Sequence, residues 1–369
     1  MTSTICLNMI VKNETKVIAR CLESVKSLIH YWVIVDTGST DGTQAMIQSI
    51  MQSIPGELHE RPWRNFGDNR TEALELARGK ADYLLVIDAD DMLLIPPQFI
   101  MPKLTKEVYS LPITYGDINH WRMQLFRSDL DFYYAGVLHE ALVSREPRSH
   151  GYLQQPIYQC IPDGSRSSDA DKYRKDAAIL EAALLANPSC TRTAFYLAQS
   201  WRDAGEPEKA ITAYTHRANM GGWEEEIYIA LHEIGRLSAR LGHDDAIVTA
   251  HFLKAYERRP TRAEPLYSLA VILRLRGRPA AAYPFACTAN DIQRPNDVLF
   301  VDDSVYAWRA LDEYAVAASW VGRYKEATMA NQQLLKRKML PEPERERIQK
   351  NLIFCREKMG SSTRLSHTP

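Results

Sequence analysis

Three aspartates directly follow an apolar segment in the N-terminal half of the chain. The segment Tyr83–Ile87 carries no charge, and Asp88, Asp90 and Asp91 come immediately after it. If the segment is a buried strand of an open α/β sheet, these side chains stand at its carboxyl end, where such sheets bind ligands. Carboxylate oxygens favour Mg²⁺ or Mn²⁺, which keep coordination positions for phosphate oxygens. A solvated acidic turn is the alternative interpretation.

A second polar segment, residues 36–42, follows the apolar run Trp32–Val35. Its two glycines and three hydroxyl residues can offer backbone N–H groups and side chains to a polar ligand. Asp41 or Thr43 can instead cap the helix that follows, so capping explains part of the segment. Asp36, the first residue past the strand, is not needed for a cap and is therefore a candidate ligand-binding residue.

The elements that would position these residues alternate along the chain. Up to about Pro162, short β-branched runs alternate with amphipathic stretches, which predicts βαβ units and a mainly parallel, buried sheet. From His120 to Val143, extended aromatic-rich segments predict an antiparallel or mixed edge of the same sheet. The predicted strands include Ile5–Val11, Trp32–Asp36 and Leu58–Trp63, and the predicted helices include Glu14–Leu28, Thr43–Ile54 and Asp68–Arg78.

The chain after the polar loop at residues 163–171 is predicted to be entirely helical. Glycines recur there between helical stretches, at Gly205, Gly242, Gly277 and Gly322, with spacings of 37, 35 and 45 positions. A helix, a glycine turn and a second helix form the unit of tetratricopeptide-like repeats, whose usual period is about 34 residues. An ordinary helical bundle is the alternative.

Composition and charge exclude several classes of protein. The chain has 369 residues, and its 45 basic and 46 acidic residues give a formal net charge of -1, which argues against a dedicated nucleic-acid or anionic-membrane binder. The six scattered cysteines form no CxxC pair, so neither a zinc site nor a disulfide framework is expected. This use of cysteine favours a protein of the reducing cytoplasm. We recognise neither a signal peptide nor a transmembrane run.

The polar segments together resemble the family-2 glycosyltransferases of the GT-A fold. The resemblance rests on "MIVKNE", "VDTGSTDGT", "NFGDNRTEALELARG" and "LLVIDADD", which occur in the family's order within the first ~95 residues. The later segments "QLFRS", "YYAGVLHEAL" and "DGSRSSDADKYRKDA" are similar to those of a bacterial and phage-type subgroup. The resemblance implies a GT-A domain at residues 1–165 and a tetratricopeptide-like α-helical domain at 166–359, and the tail at 360–369 is expected to be disordered.

The resemblance also implies which residues bind the donor. In such enzymes the end of the first strand and the aspartate after the second strand contact the nucleotide base, and the arginine that opens the third helix lies near the base and the diphosphate. The matching residues are Val11, Asn13, Glu14, Asp36 and Arg70.

The acidic segment matches the family's DxD motif. Asp88 resembles the acid that contacts the ribose, and Ala89 belongs to the same donor site. Asp90 resembles the metal-binding acid, so Mn²⁺ or Mg²⁺ is the expected cofactor. Asp91 is expected to orient its neighbours rather than to bind metal.

The candidate general base lies where this chain differs from the family's pattern. Many relatives carry a Glu-Asp pair beyond the DxD motif, whose last acid deprotonates the acceptor, whereas this chain has His139-Glu140. Glu140 is the candidate base, because the reaction requires a carboxylate within hydrogen-bond reach of the acceptor hydroxyl. His139 is a candidate metal ligand through a neutral imidazole nitrogen. The alternative is a His-Glu pair that only orders the acceptor loop.

The polar loop at residues 163–168 resembles the mobile segment that closes over the donor. Arg166 in this loop is a candidate for charge-assisted hydrogen bonds to the diphosphate. An exposed linker with incidental charge is the alternative.

The expected function is that of a cytoplasmic, metal-dependent inverting glycosyltransferase. It would move a hexose from a nucleoside-diphosphate sugar, with a uridine diphosphate sugar as the expected donor, to a saccharide, a peptide or another macromolecule. The repeats would bind the acceptor, a protein partner or a second copy of the chain. Two alternatives stay open, a non-catalytic nucleotide-sensing scaffold and a glycosyltransferase of modified DNA bases. A nucleotidyltransferase is disfavoured because "MIVKNE" lacks a glycine-rich phosphate loop.

Overall fold

The computed structural model describes residues 3–115 and 118–365, and the chain divides into two compact units, Met1–Ala183 and Leu184–Pro369. The division falls inside a helix, α4, at Lys172–Ala186. The domain boundary predicted at 165/166 stays a prediction. No helix in the described ranges is long and apolar enough to cross a membrane.

The first unit is built on a mixed sheet, which confirms the predicted α/β class. Strands β1 to β4 run parallel in the order β3-β2-β1-β4, and β7, β6, β11 and β5 continue the sheet, with β10 beside β6 and β8–β9 as a separate hairpin. The strands are β1 Ile5–Val11, β2 Tyr31–Asp36, β3 Gly56–Glu60, β4 Tyr83–Val86, β5 Met92–Leu94, β6 Val108–Tyr115, β7 Ile118–Arg127, β8 Tyr133–Ala135, β9 Ala141–Val143, β10 His150–Tyr152 and β11 Ile157–Gln159.

Helices cover both faces of this sheet. The helices that precede α4 are α1 Ile18–Val25, α2 Thr43–Met51 and α3 Phe66–Ala77. Leu7 of β1 packs in one core with Leu22 of α1, whereas its neighbour Cys6 packs in the other core with Leu74 of α3. Successive side chains of a strand point to opposite faces, so β1 is buried on both sides and is apolar at every position except Asn8.

Strand β3 begins and ends earlier than the sequence pattern predicts. The predicted strand is Leu58–Trp63, and the observed strand is Gly56–Glu60. Pro62 lacks an N–H group and cannot continue the ladder, which explains the earlier end. Gly56 packs directly against the Trp32 ring. A Cβ added at this position would come within 2.2 Å of the ring, so the packing requires glycine.

The second unit has helices as its only regular secondary structure within the described residues, and a non-helical segment at residues 292–302 separates two of them. Its helices are α5 Thr191–Asp203, α6 Pro207–Asn219, α7 Glu224–Arg240, α8 Asp245–Arg258, α9 Glu264–Leu275, α10 Pro279–Asp291, α11 Ala310–Trp320, α12 Tyr324–Lys336 and α13 Glu342–Leu365, with a short π-helix at Val305–Arg309. Residues 360–365 of the predicted tail belong to α13, and residues 366–369 lie outside the described residues.

The four predicted turn glycines lie at equivalent places in this unit. Gly205, Gly242, Gly277 and Gly322 follow α5, α7, α9 and α11, and each has a left-handed φ between 74° and 79°. An added Cβ would meet nothing within 4 Å at any of them, so glycine is required by the backbone angle and not by space. The repeated helix–glycine–helix unit confirms the tetratricopeptide-like organisation.

Candidate active site

The polar segments predicted from the sequence meet at the carboxyl edge of the parallel strands. Val11 pairs with Asp36 at the ends of β1 and β2, and Asn8 pairs with Val86 of β4. The backbone N–H of Thr37 donates to the Val11 carbonyl oxygen over 2.9 Å, which joins the first two segments directly. The position of this edge follows from the parallel order of the strands.

Asp36 has one carboxylate oxygen without a partner. Its side chain is 1% exposed, and Oδ1 accepts hydrogen bonds from the backbone N–H groups of Gly38 and Ser39 at 2.9 and 2.8 Å. Its Oδ2 is buried and has no hydrogen-bond partner within the described ranges. A buried acceptor of this kind is costly unless something donates to it. A ligand N–H group would satisfy it.

The turn after β1 is fixed to the segment that follows β2. Asn13 has a left-handed φ of 57°, its backbone N–H donates to Ser39 Oγ at 2.8 Å, and its Oδ1 accepts from the backbone N–H of Thr40 at 2.8 Å. The backbone N–H of Glu14 donates to Thr43 Oγ1 at 2.9 Å. These bonds hold the backbone of the two segments in one arrangement.

The Glu14 side chain faces a different partner, the loop at residues 163–168. Its Oε2 accepts from the backbone N–H of Ser165 at 3.1 Å. Burial raises the pKa of Glu14 to about 7, and the nearby carboxylates of Asp90, Asp41 and Asp163 add to the rise. Several acids therefore share a small, partly desolvated volume.

Arg70 joins Asp88 to Glu140. Its Nη2 forms an ion pair with Asp88 Oδ1, its Nε lies 2.7 Å from Glu140 Oε1, and its guanidinium carbon lies 5.6 Å from the centre of the Tyr134 ring. Burial of Asp88 opposes its ionisation, but the positive charges of Arg70 and then Arg122 outweigh burial and lower its pKa. The Glu140 side chain is only 11% exposed, so this ion pair is largely shielded from water.

Asp90 is the acid of the segment that is available to a cation. Burial raises its pKa, and the Asp88 carboxylate raises it further. Its Oδ2 accepts one long hydrogen bond, 3.3 Å, from the backbone N–H of Gly164, and Ala89 beside it is buried. A Cβ at Gly164 would lie 2.8 Å from that oxygen, so the loop approaches Asp90 as closely as glycine permits.

The donor set around Asp90 fits a Mg²⁺ or Mn²⁺ ion that is shared with a phosphate-bearing ligand. Such ions are often held by one or two carboxylates together with water and substrate phosphates. A cation beside Asp90 would offset both the burial and the repulsion that raise its pKa. In the described part of the chain, no three His, Cys, Asp or Glu side chains form a group that could hold a metal by itself.

Asp91 supports the segment from inside. It is 6% exposed, its Oδ2 accepts from the Tyr158 hydroxyl at 2.7 Å, and its Oδ1 accepts from the backbone N–H of Ile161 at 2.8 Å. The Tyr158 hydroxyl also accepts from the backbone N–H of Asp88 at 3.1 Å. The sequence prediction missed Tyr158, because only the pairing of β11 with β5 and β6 brings it to the acidic segment.

The loop that carries His139 and Glu140 packs tightly against the start of α3. A Cβ at Gly67 would lie 2.0 Å from the Gly136 carbonyl oxygen, and the backbone N–H of Phe66 donates to Val137 O at 3.2 Å. His139 is exposed and has a left-handed φ of 51°. Gly67, a second residue missed as functional, lies within the motif "NFGDNR".

The predicted donor loop is held by ion pairs of its own. Arg20 of α1 contacts both oxygens of Asp163 at 2.8 and 2.7 Å. Arg166 forms an ion pair with Asp176, and its guanidinium carbon lies 4.5 Å from the centre of the Phe66 ring. A role for Arg166 at the diphosphate stays a prediction, and in this structure the guanidinium faces Asp176.

Comparison with known proteins gives the class of the first unit. Residues 6–99 match glycosyl transferase family 2. The lipopolysaccharide core biosynthesis glycosyltransferase LpsC of Rhizobium meliloti is 35% identical over 101 residues, covering 27% of this chain and 34% of LpsC. The SPbeta prophage-derived glycosyltransferase SunS of Bacillus subtilis is 23% identical over 228 residues, covering 57% of this chain and 52% of SunS.

A third relative is a TPR repeat-containing protein of Synechococcus elongatus. It is 29% identical over 163 residues, covering 39% of this chain and 38% of that protein. This chain spans between about a third and about half of the length of these three relatives. Residues 6–99 thus match a family-2 glycosyltransferase domain, and helices in a tetratricopeptide-like arrangement follow in the second unit.

Proposed function

We propose that this chain is a metal-dependent inverting glycosyltransferase that moves a hexose from a nucleoside-diphosphate sugar to a macromolecular acceptor. One observation carries the proposal: the unpartnered buried oxygen of Asp36 and the acidic segment 88–91 meet at the carboxyl edge of a family-2 glycosyltransferase domain. A uridine diphosphate sugar is the proposed donor, because uracil offers an N–H group to Asp36 Oδ2. Saccharides and peptides are the proposed acceptors.

The donor would be bound by residues of all three segments. Asp36 would accept from the base, with Val11, Asn13 and Glu14 forming the wall on the side of β1. Asp88, which Arg70 keeps ionised, would accept from a ribose hydroxyl. This division of work requires Asp88 to stay charged and Asp36 to stay buried.

Asp90 would hold Mn²⁺ or Mg²⁺ together with phosphate oxygens of the donor, and His139 is proposed as a further ligand. Bound there, the ion would stabilise the negative charge that develops on the departing diphosphate.

Glu140 would act as the general base. Its carboxylate would take the proton of the acceptor hydroxyl while that oxygen bonds to the anomeric carbon and the bond from this carbon to the diphosphate oxygen breaks. Arg70, 2.7 Å from Glu140 Oε1, would fix the position of the base relative to Asp88. Attack opposite to the leaving group inverts the anomeric configuration.

The helical repeats would bind the acceptor or a partner protein, with residues 166–359 as the proposed domain. The six cysteines of the sequence are all free thiols in the structure, which agrees with the proposed cytoplasmic location.

Two variants test the chemistry. We expect Asp90→Ala to abolish Mn²⁺-dependent turnover of UDP-hexoses, measured as UDP release. We expect Glu140→Gln to lower turnover by about a hundredfold or more, because general-base catalysis contributes on the order of 10²–10⁴, while UDP binding persists. Glu146→Gln is the matched control, since Glu146 is 75% exposed and its carboxylate lies 3.7 Å from Arg148, with which it forms a loose ion pair. Full activity of Asp90→Ala or Glu140→Gln would refute the corresponding assignment.

A further inference from the structure

Arg122 is an exposed cation of β7 that has no ionic partner in the described residues. The other arginines around the acidic segment are each engaged: Arg20 by Asp163, Arg70 by Asp88 and Glu140, and Arg166 by Asp176. Arg122 pairs with Leu111 of β6 through the strand ladder, but its guanidinium makes neither a hydrogen bond nor an ion pair with any described residue. The guanidinium lies over the ring of Tyr158, whose centre is 4.8 Å from the guanidinium carbon.

The residue that packs against the Arg122 guanidinium, Tyr158, is itself held in place. Tyr158 is completely buried, and its hydroxyl contacts the Asp88 backbone N–H and the Asp91 carboxylate. Leu85 of β4 pairs with Leu125 of β7, so Arg122 lies beyond this pairing, toward the carboxyl end of β4. The positive charge of Arg122 also interacts with the negative charge of Asp88, although the two side chains form no ion pair.

The positive charge of Arg122 lies near a cluster of carboxylates, where it can offset negative charge. Asp88, Asp90, Asp91 and Glu14 crowd negative charge at the edge where a nucleoside diphosphate would bring more. A planar guanidinium with free N–H groups is suited to bidentate contact with phosphate oxygens, and stacking on an aromatic ring restricts its orientation in advance. The ring of Tyr158 supplies such a surface.

We propose that Arg122, stacked on Tyr158, binds the diphosphate of the nucleotide-sugar donor. The inference rests on the proposed function and adds to it a substrate-contacting residue. Arg122 lies outside the motifs that carry the family resemblance, two positions before "QLFRS". Binding of an anionic group of the acceptor by Arg122, instead of the donor diphosphate, would contradict the proposal.

The test compares the affinities of UDP and uridine, both with Mn²⁺, for the full chain and its variants by calorimetry. Arg122→Gln should weaken UDP about tenfold, the size of one charge-assisted hydrogen bond, and leave uridine unchanged. Arg127→Gln is the matched control: Arg127 lies on the same strand, is 50% exposed and pairs with Asp129 at the opposite end of β4. It should leave both affinities unchanged.

Arg122→Lys keeps the charge without the planar fork and should fall between the wild type and Arg122→Gln, and circular dichroism of each variant establishes that it is folded. Unchanged UDP affinity in Arg122→Gln overturns the proposal, and so does an equal loss for UDP and uridine. A raised acceptor KM with normal UDP affinity would assign the guanidinium to the acceptor instead. If the wild type binds no UDP, the proposed donor itself fails; if it binds UDP and Arg122→Gln binds equally well, only the role of Arg122 fails.

Discussion

At the scale of single residues, the acids of the site differ because their surroundings differ. Asp88 lies against arginine and has a lowered pKa, whereas burial raises the pKa of Asp91 to about 6 and that of Glu14 to about 7. Burial penalises the charged form of all three, and only Asp88 has cations close enough to reverse the effect. Acids that are close in the sequence, such as Asp88 and Asp91, therefore have pKa values shifted in opposite directions by residues that are distant in the sequence.

Tyr158→Phe tests how the acidic segment is held. The change removes one hydroxyl that serves both the Asp88 N–H and the Asp91 carboxylate, and it changes the volume little. We expect a loss of about 1–3 kcal/mol in the free energy of unfolding, because a buried carboxylate loses a donor. We also expect a higher Mn²⁺ concentration for half-maximal stabilisation by UDP, measured by thermal melting.

Tyr109→Phe is the control for this prediction. Tyr109 is also buried, and its hydroxyl accepts from the backbone N–H groups of Thr105 and Lys106, away from the acidic segment. It should lose stability without changing the Mn²⁺ requirement. Equal Mn²⁺ requirements in the two variants would show that Tyr158 only stabilises the fold.

At the scale of elements, strand ends and helix starts bring the segments together. The parallel order of β1, β2 and β4 places three chain segments at one edge, and α3 carries Arg70 toward Asp88. Asn65 caps α3 by accepting from the Asp68 backbone N–H at 2.8 Å, which fixes where the helix begins. The close approach at Gly67 then sets the distance between α3 and the loop that carries Glu140.

Gly67→Ala should separate chemistry from donor binding. The added Cβ would have to displace the Gly136 carbonyl from 2.0 Å to an ordinary contact, which shifts the loop of Glu140 by more than an ångström. We expect turnover to fall by about a hundredfold, because misplacement of this size at a reacting group has such costs. UDP affinity, measured by calorimetry, should change little.

Gly79→Ala serves as the control for backbone strain. Gly79 has a left-handed φ of 73° just past the other end of α3, and an added Cβ would meet nothing within 4 Å. Alanine should cost about 1 kcal/mol of stability there without an effect on turnover. If Gly67→Ala keeps normal turnover, the loop adapts and the tight packing does not position Glu140.

At the scale of the whole molecule, two compact units have different architectures. The first is a mixed sheet with helices on both faces, and the second repeats helical pairs separated by left-handed glycines. The net charge of -1 averages over a site in which acids are concentrated and a repeat unit rich in arginine–carboxylate pairs. Whole-chain charge therefore says little about either unit.

Hydrogen–deuterium exchange with UDP and Mn²⁺ tests the assignment of the donor to the first unit. We expect slower exchange in residues 11–14, 36–42, 88–91 and 163–168, because ligand contacts there would suppress local opening. Helices α5 to α13 should exchange at unchanged rates. Protection confined to the helical unit would place the nucleotide elsewhere and contradict the proposed site.

The local features of this protein can be predicted from its amino-acid sequence. The alternation of strands and helices, the acids that end apolar runs and the recurring glycines are written in short stretches of chain, because strand period, strand ends and left-handed turns depend on neighbouring residues. The α/β class and the repeat organisation followed from them.

Which side chains contact one another depends on the tertiary structure. The contacts of Arg70 with Glu140, of Tyr158 with Asp88 and of Gly67 with Gly136 each join residues that are about 70 positions apart in the sequence. Burial and charge pairing depend on these long-range contacts, and they fix the pKa of each acid. Among the described residues, the tertiary structure also leaves Asp36 Oδ2 and the Arg122 guanidinium without a hydrogen-bond or ionic partner, which local sequence patterns do not show.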